Sequence, residues 1–114
     1  SAYAASKAAA ERLVEGSAAD WTVPRPPAVY GPGDRETLAF FKAARRRRPV
    51  LPGSPRHRTS LVHVADLADA VHFALLTPAL SRRVAEVHDG APDGYAFAEV
   101  LAMIAGREGW HRPL

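Results

Sequence analysis

Helical and extended patterns alternate along this chain, and proline or glycine marks nearly every change between them. Residues 3 to about 19 are alanine-rich, Leu13 and Val14 extend an apolar face, and Lys7–Glu11 adds a weak i,i+4 pair, which predicts a helix. Gly16-Ser17 loosens its end. Trp21-Thr22-Val23 is a short run of strand-favouring types. Pro24, Pro26 and Pro27 limit how far a ladder continues, because proline donates no hydrogen bond. Val29-Tyr30-Gly31-Pro32-Gly33-Asp34 is turn chemistry, with Asp34 the expected N-cap of a helix from about Glu36 to Arg46.

Pro49 to Pro55 forms a punctuated loop holding at most the two-residue strand Val50-Leu51, and a better strand follows at Ser60 to Val64. Asp66 is then expected to cap a helix of about 67–76. In it Leu67, Ala70, Val71, Ala74 and Leu75 recur at the spacing of a core-facing stripe. Val84 to His88 alternates as a strand, Asp89-Gly90 and Pro92-Asp93-Gly94 are turns, and Phe97 to Ala105 is a last helix. Such alternation implies α/β architecture with at least a partly parallel sheet.

Within 114 residues there is room for one domain or part of one, and no internal repeat or low-complexity tract interrupts it. No apolar run approaches the roughly 20 residues that cross a bilayer. The absence of cysteine removes disulfides, thiolate metal sites and cysteine nucleophiles, and suits a reducing cytoplasm. His57, His63, His72, His88 and His111 form no metal-ligand spacing, so no metal is expected. The formal charge is +3, and Arg45-Arg46-Arg47-Arg48 concentrates four of the 15 basic residues at a predicted helix end. There they meet the negative end of the macrodipole, and without interleaved aromatics a nucleic-acid partner is not expected. The chain opens on Ser1 and its single methionine is Met103, which leads us to expect a fragment or a processed product.

Chemistry is carried first by Tyr3 and Lys7. On a helix, residues four apart stand on the same face. A phenol titrates near 10, too high for ready proton exchange at neutral pH, and an adjacent ammonium favours the phenolate. The spacing is the one a proton-transferring tyrosine needs, although the same pair also occurs on ordinary solvated helices.

Tyr3-x-x-x-Lys7, then Arg25-Pro26-Pro27-Ala28-Val29-Tyr30-Gly31-Pro32-Gly33-Asp34, then His63-Val64-Ala65-Asp66-Leu67-Ala68 together resemble the C-terminal half of extended short-chain dehydrogenase/reductases. These are the NAD-dependent epimerase/dehydratase and 3β-hydroxysteroid-dehydrogenase-like proteins. The resemblance spans nearly the whole chain. It implies the C-terminal part of a Rossmann-type doubly wound fold with a small substrate-binding region, residues 1–114 being one partial domain without the Gly-rich half. It further implies NAD or NADP as cofactor, a small-molecule substrate such as a nucleotide sugar, no membrane partner, and a homodimer of the intact protein.

By the same resemblance Tyr3 is the catalytic acid/base, and Lys7 holds the nicotinamide ribose and tunes the tyrosine. Pro26, Pro27, Ala28 and Val29 line the nicotinamide, where a proline-rich turn leaves backbone amides and carbonyls unused by a helix or ladder. Nothing in the chain matches G-x-x-G-x-x-G, and the serine or threonine that polarises the substrate falls before Ser1 in the family, so the isolated chain is expected to be inactive. Arg58 is a candidate for a substrate's diphosphate, one residue out of the family's usual register, and Arg35 is a second candidate for an anionic substrate. Tyr30 reads as a packed turn aromatic. The competing expectation is a non-catalytic binding or scaffold protein of the same fold that meets an anionic partner through Arg45 to Arg48.

Overall fold

The computed structural model describes residues 1–44, 46 and 56–107. Its elements follow in the order α1 (Ala2–Glu15), β1 (Thr22–Arg25), β2 (Ala28–Tyr30), α2 (Leu38–Ala44), β3 (Arg58–Thr59), β4 (Leu61–His63), α3 (Val64–Leu75), a 3-10 turn (Pro78–Leu80), β5 (Arg83–Glu86), β6 (Tyr95–Ala96) and α4 (Phe97–Arg107). The expected Val50-Leu51 strand lies outside the described residues, as does the arginine block except for Arg46, which is exposed.

The α/β class holds, with parallel pairing. β1 runs parallel to β5 in the register Thr22↔Arg83 through Arg25↔Glu86, and β2 runs parallel to β4 in the register Ala28↔Leu61, Val29↔Val62, Tyr30↔His63. Parallel neighbours need crossover connections, and helices supply them: α2 lies between β2 and β4, and α3 between β4 and β5. A third, antiparallel pair joins β3 to β6 through Arg58↔Ala96 and Thr59↔Tyr95. Val62 at the centre of β4 is 1% exposed, and with Val100 and Leu101 of α4 it makes up the fully buried apolar core among the described residues.

Several expectations change. β1 continues through Pro24 to Arg25, past the first proline, because a proline on a strand with one described partner breaks no ladder that needs its missing N–H. Ala28–Tyr30 is a strand, so the expected turn chemistry begins at Gly31 and not at Val29. Asp34 caps a short bend, not a helix that starts at Glu36. Its carboxylate accepts from the Glu36 and Thr37 backbone amides and from the Thr37 hydroxyl, and α2 begins only at Leu38. The cap of α3 is His63, whose Nδ1 accepts from Ala65 N–H at 3.1 Å, and Asp66 sits within the first turn. The stripe on α3 is not buried either: Leu67, Ala70 and Ala74 are half-buried, whereas Val71 and Leu75 are exposed, because narrow strand pairs lie beneath the helix.

Candidate active site

The first helix is capped by the Ser1 side chain, which accepts from Ala4 N–H at 3.2 Å, and none of its residues is buried. Tyr3, Lys7 and Glu11 follow one another at i,i+4 and so share one face. At its upper end Lys7 Nζ stands 5.8 Å from the centroid of the Tyr3 ring, and Tyr3 is 73% exposed. Near the other end Glu11 accepts from the Arg25 guanidinium in an ion pair, displacing the expected Lys7–Glu11 pairing. Eight residues at about 1.5 Å per residue put Tyr3 roughly 12 Å along the helix from this joint.

Charge at the joint is mutually reinforced. The hydrogen bond from Arg25 is the main influence holding the Glu11 carboxyl below its ordinary range, and the same bond raises the Arg25 guanidinium. Arg25 is the last residue of β1, and Pro26 and Pro27 carry the chain directly into β2. Ala28 and Val29 therefore do not belong to a free turn. They stand in the ladder with Leu61 and Val62, which occupies the backbone groups facing β4 and leaves Pro26-Pro27 as the unladdered part of the segment.

Carboxyl ends of parallel strands are where open α/β sheets bind ligands. At that edge Tyr30 ends β2, His63 ends β4, and their rings meet edge to face at 5.2 Å between centroids. Tyr30 also packs on Phe41 at 6.2 Å, in keeping with a packed aromatic. Gly31 makes the closure possible: a Cβ there would stand 2.5 Å from Val64 Cγ1 and 3.8 Å from His63 Nε2. Nearby, Tyr95 donates to the Asp89 carboxylate at 2.6 Å, and that bond is the leading cause of an upward shift in the Tyr95 phenol.

Of the two candidate arginines, Arg35 is exposed in the bend that precedes α2. Arg58 is engaged in the fold: its Nε donates to the Asp93 carbonyl at 2.9 Å and its Nη2 to the Gly94 carbonyl at 2.8 Å. Among the described residues no group of three metal-ligating side chains converges, and no helix is long and apolar enough to cross a membrane. The residue that sequence reasoning passed over is His63. Histidine is not a favoured N-cap type, and only the turn from β4 straight into α3 shows that its ring takes that place.

Comparison with known proteins agrees with the motifs. The NAD dependent epimerase/dehydratase family matches residues 1–86. The chain belongs to that family. It is also similar to a protein named ceramide reductase from Caulobacter vibrioides (strain NA1000 / CB15N), at 42% identity over 100 residues, covering 87% of this chain and 31% of the relative. The chain thus spans about a third of the length of that curated relative.

A nicotinamide cofactor is the group such a family implies, and the donors present fit one end of it. The Lys7 ammonium offers three N–H donors and the Tyr3 phenol one donor and an acceptor, on one exposed helix face, a set suited to the neighbouring hydroxyls of a ribose. No described glycine offers a diphosphate cradle. The Cβ position at Gly31 is filled by Val64 and that at Gly94 by Thr59 and Ser60, while Gly33 and Gly90 stand open without opening a helix.

Proposed function

We propose that this chain supplies the proton-transfer half of the active site of an NAD(P)-dependent oxidoreductase that interconverts an alcohol and a ketone. The observation that carries the reading is the Tyr3–Lys7 pair, stacked on one exposed face of α1 in a chain of this family. Likeness to a ceramide reductase supports reduction as the direction and a ceramide-type lipid as the substrate class, in place of a nucleotide sugar.

The bound nicotinamide would supply the hydride to the carbonyl carbon. The chain's own residues handle the proton. Tyr3 Oη donates to the carbonyl oxygen as its C=O π bond opens, leaving an alcohol and a phenolate. Lys7 steadies that phenolate with its positive charge and presents N–H donors to ribose hydroxyls. The Glu11–Arg25 pair links α1 to the end of β1, the residue before Pro26 and Pro27. Among the described residues no glycine provides a diphosphate cradle, and we assign turnover to the complete protein.

The test uses that complete protein with NADH or NADPH and either a ceramide-type ketone or a nucleotide sugar. Nicotinamide oxidation with the lipid ketone is expected, and Tyr3→Phe should lower kcat by about 10²–10⁴-fold while cofactor binding persists. Near-normal turnover in Tyr3→Phe would sink the assignment. Turnover of the nucleotide sugar alone would move the substrate class and leave the tyrosine role standing.

A further inference from the structure

The cap on α3 fixes more than a helix end. Because His63 Nδ1 accepts from the Ala65 N–H at 3.1 Å, that nitrogen carries no proton, and in the neutral ring the proton sits on Nε2. Among the described residues Nε2 finds no hydrogen-bond partner, and it is not sealed from solvent. The ring is held on both sides, by the cap on α3 and by the edge-to-face contact with Tyr30 across the β2–β4 register. A pre-oriented N–H donor therefore stands unspent at the carboxyl edge of a parallel strand pair.

We propose that the His63 Nε2–H is a substrate-binding donor that receives a neutral oxygen, hydroxyl or amide carbonyl, of the substrate. A neutral acceptor suits the tautomer, because with Nδ1 accepting from Ala65 N–H the neutral ring presents one N–H, at Nε2. An N-acyl amino alcohol such as ceramide carries both oxygen types. The inference rests on the alcohol–ketone reading above, and it adds a contact that the Tyr3–Lys7 chemistry does not supply.

His63→Ser in the complete protein is the informative change. Serine is a favoured N-cap, so α3 keeps its first turn, but the distal donor is gone. His63→Thr, another favoured N-cap type too short to reach the distal position, provides a second cap-retaining variant in case the serine form folds poorly. With ceramide in mixed micelles as the probe, both variants should bind about five- to tenfold more weakly, the scale of one lost neutral hydrogen bond. The KM for the ceramide-type ketone should rise by the same factor with kcat and cofactor affinity unchanged, while loss of the ring contact with Tyr30 lowers the melting temperature slightly. Unchanged ceramide affinity in both variants overturns the proposal, as does failure of the unsubstituted protein to bind ceramide. The two readings fail separately: Tyr3→Phe is read in kcat and the His63 variants in KM. An active Tyr3→Phe beside a weakened His63→Ser would therefore overturn the former and keep the latter.

Discussion

Glu11 on α1 and Arg25 at the last position of β1 form an ion pair that joins a helix with no buried residue to the rest of the structure. The side chains keep 22% and 54% of their surface, so the joint is open to water and to salt. Since the hydrogen bond with Arg25 leads the downward shift of the Glu11 carboxyl, folding favours its ionised form. The contribution is complete above the ordinary value of 4.5 and is lost as pH falls through the lower folded value. Amide protection factors across residues 2–15, taken relative to the intrinsic exchange rate at each pH, should therefore fall below about pH 4.5. Glu11→Gln should show the lower protection factors already at neutral pH, with no further step on acidification. A pH step that survives in Glu11→Gln would assign the anchoring to another group.

Lys7 should be the residue whose loss hurts cofactor binding and proton transfer together. Lys7→Met keeps the stem and the helix but removes the ammonium from beside the Tyr3 ring, 5.8 Å from its centroid. Nicotinamide affinity and kcat should both fall, kcat by about 10²-fold or more. Titration of cofactor fluorescence against the complete protein, beside steady-state turnover, separates the two losses. An effect on KM for substrate alone would contradict the assigned role.

Gly31 is required by a close approach between strand and helix, not by a left-handed backbone. Its Cβ position lies 2.5 Å from Val64 Cγ1 and 3.2 Å from Val64 Cβ, and Val64 is the first residue of α3. Gly31→Ala must push the start of that helix away from the end of β2, at a cost of about 1–3 kcal/mol. Equilibrium urea unfolding measures it. The paired change Gly31→Ala with Val64→Ala should recover most of the loss, because the methyl that collides is removed.

The sequence made the class readable because alternation of helix and strand leaves few parallel-sheet solutions, and Tyr3–Lys7 could be placed on one face from spacing alone. What it hid depends on tertiary geometry. Ala28 to Tyr30 carries ordinary strand residues, but prolines and glycines on both sides made its last two residues resemble a turn until β4 provided a parallel partner. Asp66 is the better cap by type, yet the chain enters α3 three residues earlier than a cap at Asp66 would start it, and His63 takes the place. Likewise Glu11 sits four residues from Lys7, but Arg25, with a longer reach and a forked donor set, is the partner it takes.

Arg58 separates a fold-holding arginine from a ligand-holding one. Its Nε and Nη2 donate to the carbonyls of Asp93 and Gly94, at 2.9 and 2.8 Å, so one planar guanidinium clasps the turn that leads into β6. Gly94 has φ of +70°, and a Cβ there would meet the Thr59 carbonyl oxygen at 2.5 Å, so the turn is already pressed against β3. Arg58→Lys keeps the charge but loses the fork, and cannot serve two carbonyls in that plane. The variant should lose about 1 kcal/mol of stability, with faster amide exchange at residues 92–96, while KM for substrate stays at its original value. An arginine holding a substrate diphosphate predicts the reverse: unchanged exchange at the turn and a KM for nucleotide sugars that rises about tenfold or more. Measuring both in one preparation assigns Arg58 to one role or the other.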